Sequence, residues 1–171
     1  MKNNIVLVGF MGVGKSSIAY HISKINKMDI IDTDDIIEIV QQRQIKKIFE
    51  ESGEKYFRNL ENNVAKWVIK SINNSIISTG GGFYNVNDIK SLGTIVFLKN
   101  DFKNIYETLQ KCKNPNEQFE KRPLLNNKVE AEKLFNERMT EYSKIADITI
   151  ETNGRNLKTI SKEIIQKLSC L

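Results

Sequence analysis

Hydrophobic positions along the chain fall into short unbroken runs separated by longer stretches of helical period. Ile5 to Val8 is a run of four apolar residues with no polar interruption, the pattern of a strand covered on both faces. Ile18, Ala19, Ile22 and Ile25 then recur on one side of a helix. Met28 to Asp32 reads as a second strand, and Ile36, Ile37 and Val40 as the apolar side of the next helix. Ile45 to Phe49 predicts a short helix, which Ser52-Gly53-Glu54 breaks before a longer one with Leu60, Val64, Trp67 and Val68 on its apolar face. Ser75 to Thr79 is a third strand, and the TIVFL segment ending at Leu98 is a fourth, followed by a helix through Ile105 and Leu109. Ala131, Leu134, Phe135 and Tyr142 mark another helix, Asp147 to Glu151 a fifth strand, and Leu157, Ile160, Ile164, Ile165 and Leu168 a closing helix. Strands that alternate with helices pair in parallel through right-handed crossovers. The predicted fold class is α/β, a three-layer α/β/α sandwich on a five-stranded parallel sheet, built as one domain over residues 1–171.

The first strand runs into GFMGVGKS, residues 9 to 16, a complete GxxxxGK[ST] loop placed between a strand and a helix as its chemistry requires. Gly9, Gly12 and Gly14 allow consecutive N–H groups to turn inward onto phosphate oxygens. Lys15 is placed to reach β and γ phosphates, and Ser16 supplies a hydroxyl for Mg²⁺. The helix that starts near Lys15 adds the positive end of its dipole.

Other polar residues stand where such a ligand would lie. Asp32, Asp34 and Asp35 crowd the carboxyl end of the second strand, the side on which open parallel sheets bind ligands. One of them serves as a helix N-cap, but three acids exceed what capping needs. The third strand ends in Gly80, Gly81 and Gly82, whose entropic cost points to close approach of a ligand or another backbone. Arg58 and Glu61, one helical turn apart, read from their spacing as a surface pair at the edge of the core. Arg138 falls in the middle of the stripe formed by Ala131, Leu134, Phe135 and Tyr142, where a charge needs an anion. That anion is either a buried acid of the protein or a substrate group. Residues 113 to 127 lose all periodicity and hold both prolines, which predicts a mobile lid carrying Arg122.

Composition narrows the field. The chain's 171 residues suffice for a full core without disulfides or metals, and its two cysteines, Cys112 and Cys170, form neither a CxxC nor a disulfide framework. The surplus of 26 basic over 21 acidic residues is scattered rather than blocked, and suits a protein that binds ATP and a second anion better than one that binds nucleic acid. No apolar run approaches a membrane span, and the N-terminal run is too short for a signal peptide. The expectation is a cytoplasmic monomer with small-molecule partners only.

Taken together, GFMGVGKS, Asp32-Thr33-Asp34, FRNLE at Phe57 to Glu61, STGGG ending at Gly82, RPLL at Arg122 to Leu125, and ERMTEYSKIAD at Glu137 to Asp147 resemble the shikimate kinases, P-loop proteins of the nucleoside-monophosphate-kinase-like group. The resemblance covers nearly the whole chain. It implies strand order 2-3-1-4-5, ATP and Mg²⁺, and phosphorylation of the shikimate 3-hydroxyl in aromatic amino-acid biosynthesis. Shikimate would then lie on Asp34, Arg58, Gly80, Gly81, Gly82 and Arg138, with the two arginines on its carboxylate and Ile45, Phe49 and Phe57 around it. Substrate-binding helices would span about residues 34–62 and the lid 113–127. Gly12, Val13, Gly14, Lys15, Ser16 and Ser17 would cradle the nucleotide, Ser16 and Asp32 would hold the metal, and Asp34 would orient and deprotonate the acceptor. Lys15 and Arg122 would neutralise the migrating phosphoryl group. At the adenine end the family's arginine before the lid gives way to Lys111 and Lys113, and its proline after the last strand is missing from Thr152-Asn153-Gly154-Arg155. Arg155 is the candidate adenine contact there.

Three rivals fit less well. Asn26-Lys27-Met28-Asp29 satisfies the NKxD of GTPases but precedes the second strand, and no DxxG occurs. The glycine order GxxGxG differs from the dinucleotide-binding GxGxxG. A gluconate-type sugar-acid kinase shares the loop and a carboxylate substrate, and is set apart by the DTD, FR, GGG and RPLL segments. His21 lies well past the loop and receives no catalytic role.

Overall fold

The computed structural model describes residues 2–120 and 122–170. Lys121 of the expected lid, Met1 and Leu171 lie outside them. Five parallel strands, β1 (Ile5–Val8), β2 (Asp29–Asp32), β3 (Ser75–Ser78), β4 (Thr94–Lys99) and β5 (Ile148–Glu151), form one sheet in the order β2-β3-β1-β4-β5. Adjacent side chains of a strand point to opposite faces, so the complete burial of β1 and β3 means that both faces are covered. At the edge, β5 buries Ile148 and Ile150 and turns Thr149 and Glu151 to solvent.

The helices are α1 (Lys15–Asn26), α2 (Thr33–Gln41), α3 (Ile45–Ser71), α4 (Phe102–Lys111), α5 (Pro115–Glu120), α6 (Lys128–Ile145) and α7 (Leu157–Leu168). Asp32, Asn127 and Asn156 cap α2, α6 and α7 with their side-chain oxygens. The predicted break near Gly53 is a bend within α3, where Gly53 takes φ 76° and ψ 171°, a backbone conformation suited to glycine.

Several helix faces differ from the expected ones. Beyond the bend, α3 buries Phe57, Glu61, Val64, Ala65 and Val68, while Trp67 is 41% exposed. The real stripe runs at i, i+4, i+7, i+8 and i+11, rotated so that Trp67 flanks it. In α2 only Ile37 of the three residues expected on the apolar side is fully buried, and Val40 is exposed. The lid region is not irregular throughout. Pro115 opens α5, Phe119 packs edge-to-face on Tyr106 with centroids 5.3 Å apart, and Leu125 is buried in a turn of 3₁₀ helix. Two aromatic rings and a leucine anchor a segment whose composition alone read as loop.

Among the described residues no helix is long and apolar enough to cross a membrane. The carboxyl ends of β1, β2 and β3 lie side by side in the sheet, which brings together the loop after Val8, the acids after Ile31 and the glycines after Thr79.

Candidate active site

Gly14 stands at the start of α1 with φ 98°, and no side chain caps that end. The first N–H groups of α1 therefore remain for a ligand. Lys15 folds back over the loop, its Nζ donating to the Gly9 and Phe10 carbonyls at 2.8 and 3.1 Å. Burial lowers its pKa to about 8, Asp34 and Asp32 pull it up again, and Arg122 and Arg138 depress it further. All four charged groups thus lie around one ammonium.

Asp32 is the capping acid of the three. Its Oδ1 accepts the Asp34 N–H at 3.1 Å, and its Oδ2 lies 3.4 Å from the Ser16 hydroxyl, which is also 3.5 Å from that of Ser78. Asp34, in the first turn of α2, has a buried Oδ1 with no hydrogen-bond partner. Burial, then the charges of Asp32 and Glu61, raise its pKa to about 7 against the pull of Lys15. Its carboxyl is poised between acid and base at neutral pH.

The glycine triplet makes room for three side chains rather than for another backbone. A Cβ on Gly80 would overlap the Asp34 carboxylate, one on Gly81 would fall 2.9 Å from Arg138 Nη1, and one on Gly82 would overlap the Arg58 guanidinium. Residues from α2, α3 and α6 thereby converge on the end of β3. The triplet is held in turn, since the Gly80 N–H donates to Thr33 Oγ1 at 3.0 Å and the buried Tyr142 hydroxyl donates to the Gly81 carbonyl at 2.6 Å.

Arg58 and Glu61 are no surface pair. Glu61 is 1% exposed and accepts Arg58 Nη1 at 2.6 Å, while Glu54 takes Nε and Nη2 from the solvent side. Burial raises the Glu61 pKa, and hydrogen bonding to Arg58 and the charges of Arg58 and Arg138 work against that rise. Sequence reasoning missed Glu61 as a site residue. The available signal was an acid on the apolar stripe of α3, the counterpart of Arg138 on α6.

Arg138 is 6% exposed, its Nε has no partner, and among the described residues it forms no ion pair. Glu61, the buried acid on which its charge acts, is already bonded to Arg58. Phe49 and Phe57 pack with ring centroids 4.6 Å apart, beside Arg58, and Ile45 is partly buried against the core.

Arg122 is half-buried, enough to lower its pKa, and it acts on Lys15. Val13 is buried and Ser17 exposed in the first turn of α1. Arg155 sits between β5 and α7, donating to the Glu151 carbonyl at 2.7 Å and to the Glu163 carboxylate. Its loop is tied to the start of α4 through Asn153, which bonds Asp101 and Asn104.

A parallel sheet with a phosphate loop at its carboxyl end, facing an acid and two arginines across a glycine triplet, defines a P-loop phosphotransferase. The shikimate kinase family model matches residues 11–169. A shikimate kinase from Helicobacter hepaticus is 37% identical over 95% of this chain and 94% of its own. The crystal structure of shikimate kinase from Aquifex aeolicus superposes with a TM-score of 0.74 at 34% identity, covering 98% of this chain and 96% of the other. Shikimate kinase from Acinetobacter baumannii, solved in complex with shikimate, gives a TM-score of 0.83 at 27% identity over 99% and 94% of the two chains. The chain belongs to the shikimate kinase family.

Proposed function

We propose that this protein transfers the γ-phosphoryl group of ATP to the 3-hydroxyl of shikimate, giving shikimate 3-phosphate and ADP in aromatic amino-acid biosynthesis. One observation carries the reading: Asp34, Arg58 and Arg138, from three separate helices, converge on Gly80, Gly81 and Gly82, and the charges of Asp34 and Arg138 both act on Lys15. A phosphate site and a carboxylate-plus-hydroxyl site then share one cleft.

Phosphoryl transfer needs in-line positioning and charge neutralisation rather than a covalent intermediate. The N–H groups of Gly12 to Ser17 cradle the ATP phosphates, and Lys15 leaves the loop carbonyls for the β and γ phosphates. Arg58 and Arg138 hold the shikimate carboxylate, which satisfies the orphan Nε of Arg138. The acceptor hydroxyl donates to Asp34 Oδ1, another buried atom without a partner, and its proton passes to that oxygen as the phosphoryl group arrives. Arg122 adds a second cation to the migrating group as the lid closes.

Mg²⁺ suits the donor set. Ser16 Oγ and Asp32 Oδ2 are adjacent, and among the described residues no cluster of three or more His, Cys, Asp or Glu could hold a metal without phosphate oxygens and water. Ser16 would ligate it and Asp32 would meet it through water. Bound there, it would neutralise phosphate charge. Arg155 would contact adenine once released from Glu163. A cytoplasmic monomer with ATP and shikimate as its partners fits this reading.

Coupled ADP release with shikimate, quinate, gluconate or no acceptor tests the proposal. Turnover should require shikimate, and equal or faster turnover with gluconate would refute it.

A further inference from the structure

Each of the three guanidinium nitrogens of Arg58 already donates a hydrogen bond before any ligand arrives. Glu61 holds Nη1, while Nε and Nη2 both donate to one oxygen of Glu54, at 3.1 and 2.7 Å. The two acids differ in how firmly they are held. The Glu61 side chain is 2% exposed and locked in the core, whereas that of Glu54 is 66% exposed and directly follows the bend at Gly53.

Their charges matter to an anion site. Arg58 and Arg138 are balanced by Glu54 and Glu61, so the pair of arginines expected to form a cationic clamp is neutral when empty. A substrate carboxylate that joined this set without any departure would add an uncompensated negative charge. Glu61 cannot leave without stranding a buried acid. Glu54 can. An exposed ion pair is weak, and a released carboxylate regains water. Glu54 also begins the helical segment after Gly53, where a negative charge remains favourable without Arg58.

We infer that Glu54 is a displaceable internal counter-ion for Arg58, occupying its Nε and Nη2 edge in the empty site and released when the substrate carboxylate binds. The inference rests on the proposed role of Arg58 in holding that carboxylate. Glu54 sets affinity by competing, and it sets selectivity too. A planar carboxylate can give each N–H of a guanidinium edge its own oxygen, whereas chloride offers both a single acceptor.

Glu54→Gln in the full chain removes the charge at an exposed position. The KM and dissociation constant for shikimate should fall roughly two- to fivefold, the scale of an exposed ion pair. The KM for ATP should not change, and added chloride should inhibit the variant more than the parent protein. In an Arg58→Met background, Glu54→Gln should no longer alter the KM for shikimate. An unchanged or raised KM for shikimate in Glu54→Gln, with Arg58→Met still raising it, would overturn the competition. If Arg58→Met leaves shikimate binding intact, the role of Arg58 itself is wrong, and this inference falls with it.

Discussion

Arg58 Nη1 and the Glu61 carboxylate meet at 2.6 Å on adjacent turns of α3, with the acid buried and the arginine half-exposed. The packing of Phe57, Val64 and Val68 along the same face fixes Glu61, and Glu61 in turn aims the guanidinium past Gly82. Glu61→Gln keeps the shape and weakens that hold. The KM for shikimate should rise about tenfold, the cost of roughly one charge-assisted hydrogen bond, with the KM for ATP unchanged. Steady-state kinetics with each substrate varied in turn will check this. Neutralising the two acids that share Arg58, Glu54 and Glu61, should therefore move shikimate affinity in opposite directions.

Arg138 supplies the complementary case, a buried cation with no ion pair among the described residues. Arg138→Met removes a buried charge to which no carboxylate is bonded among the described residues, and keeps much of the side-chain length. The melting temperature should stay level or rise slightly, while shikimate affinity falls by about 2 kcal/mol or more. Thermal melting and calorimetric titration of this variant test both halves.

Asp34 links stability to chemistry through its proton. Its pKa is raised to about 7 in the folded protein, against about 4 in an unfolded chain. Below about pH 3 both states hold the proton, so the site has no stability cost. As pH rises to 7 the unfolded chain ionises first, and folding loses stability. Asp34→Asn should consequently stabilise the fold by roughly 1 to 3 kcal/mol at pH 8 and by nothing measurable near pH 3. Denaturant titrations at the two pH values will show it.

The same group sets the acid limb of catalysis. kcat/KM for shikimate should rise as Asp34 ionises near pH 7 and fall as Lys15, with a pKa of about 8, loses its charge. A pH–rate profile flat from about 6 to 9 would remove both groups from the rate-determining chemistry.

Gly82 has an ordinary backbone, φ −102°, so its side-chain hydrogen matters only for space. Gly82→Ala places a methyl group on the Arg58 guanidinium, the mobile end of a long side chain. The atom displaced is Nη1, which pairs buried Glu61, so the fold should lose roughly 1 to 3 kcal/mol while the KM for shikimate rises at least tenfold. Melting and kinetics on one variant separate the two effects.

The lid makes the last prediction. Protease nicking between Lys113 and Lys128 should be fast in the free protein and slower with a non-hydrolysable ATP analogue plus shikimate, because Arg122 then joins the closed site. Gel electrophoresis of timed digests reads both states.

Contiguous chemistry was legible from the chain alone. GFMGVGKS carries its own turn, helix start and hydroxyl within eight residues, and the periods of the apolar runs name strand or helix without reference to any neighbour. The five strands, the bend at Gly53 and the oddity of Arg138 therefore needed only local pattern. Three things were decided by tertiary structure. Glu61 looked like half of a surface pair because a single helical turn does not show which face is buried, and only packing of α3 against the core turned Trp67 outward and Glu61 in. The glycine triplet signalled close approach without naming what approaches, since Asp34, Arg58 and Arg138 are distant in sequence and meet it through three separate helices. The neutrality of the empty clamp, with Glu54 on one edge of Arg58 and Glu61 on another, is likewise a property of side-chain direction. Spacing records which residues can share a helix face; it carries no record of which partner a charge meets once several elements close around it.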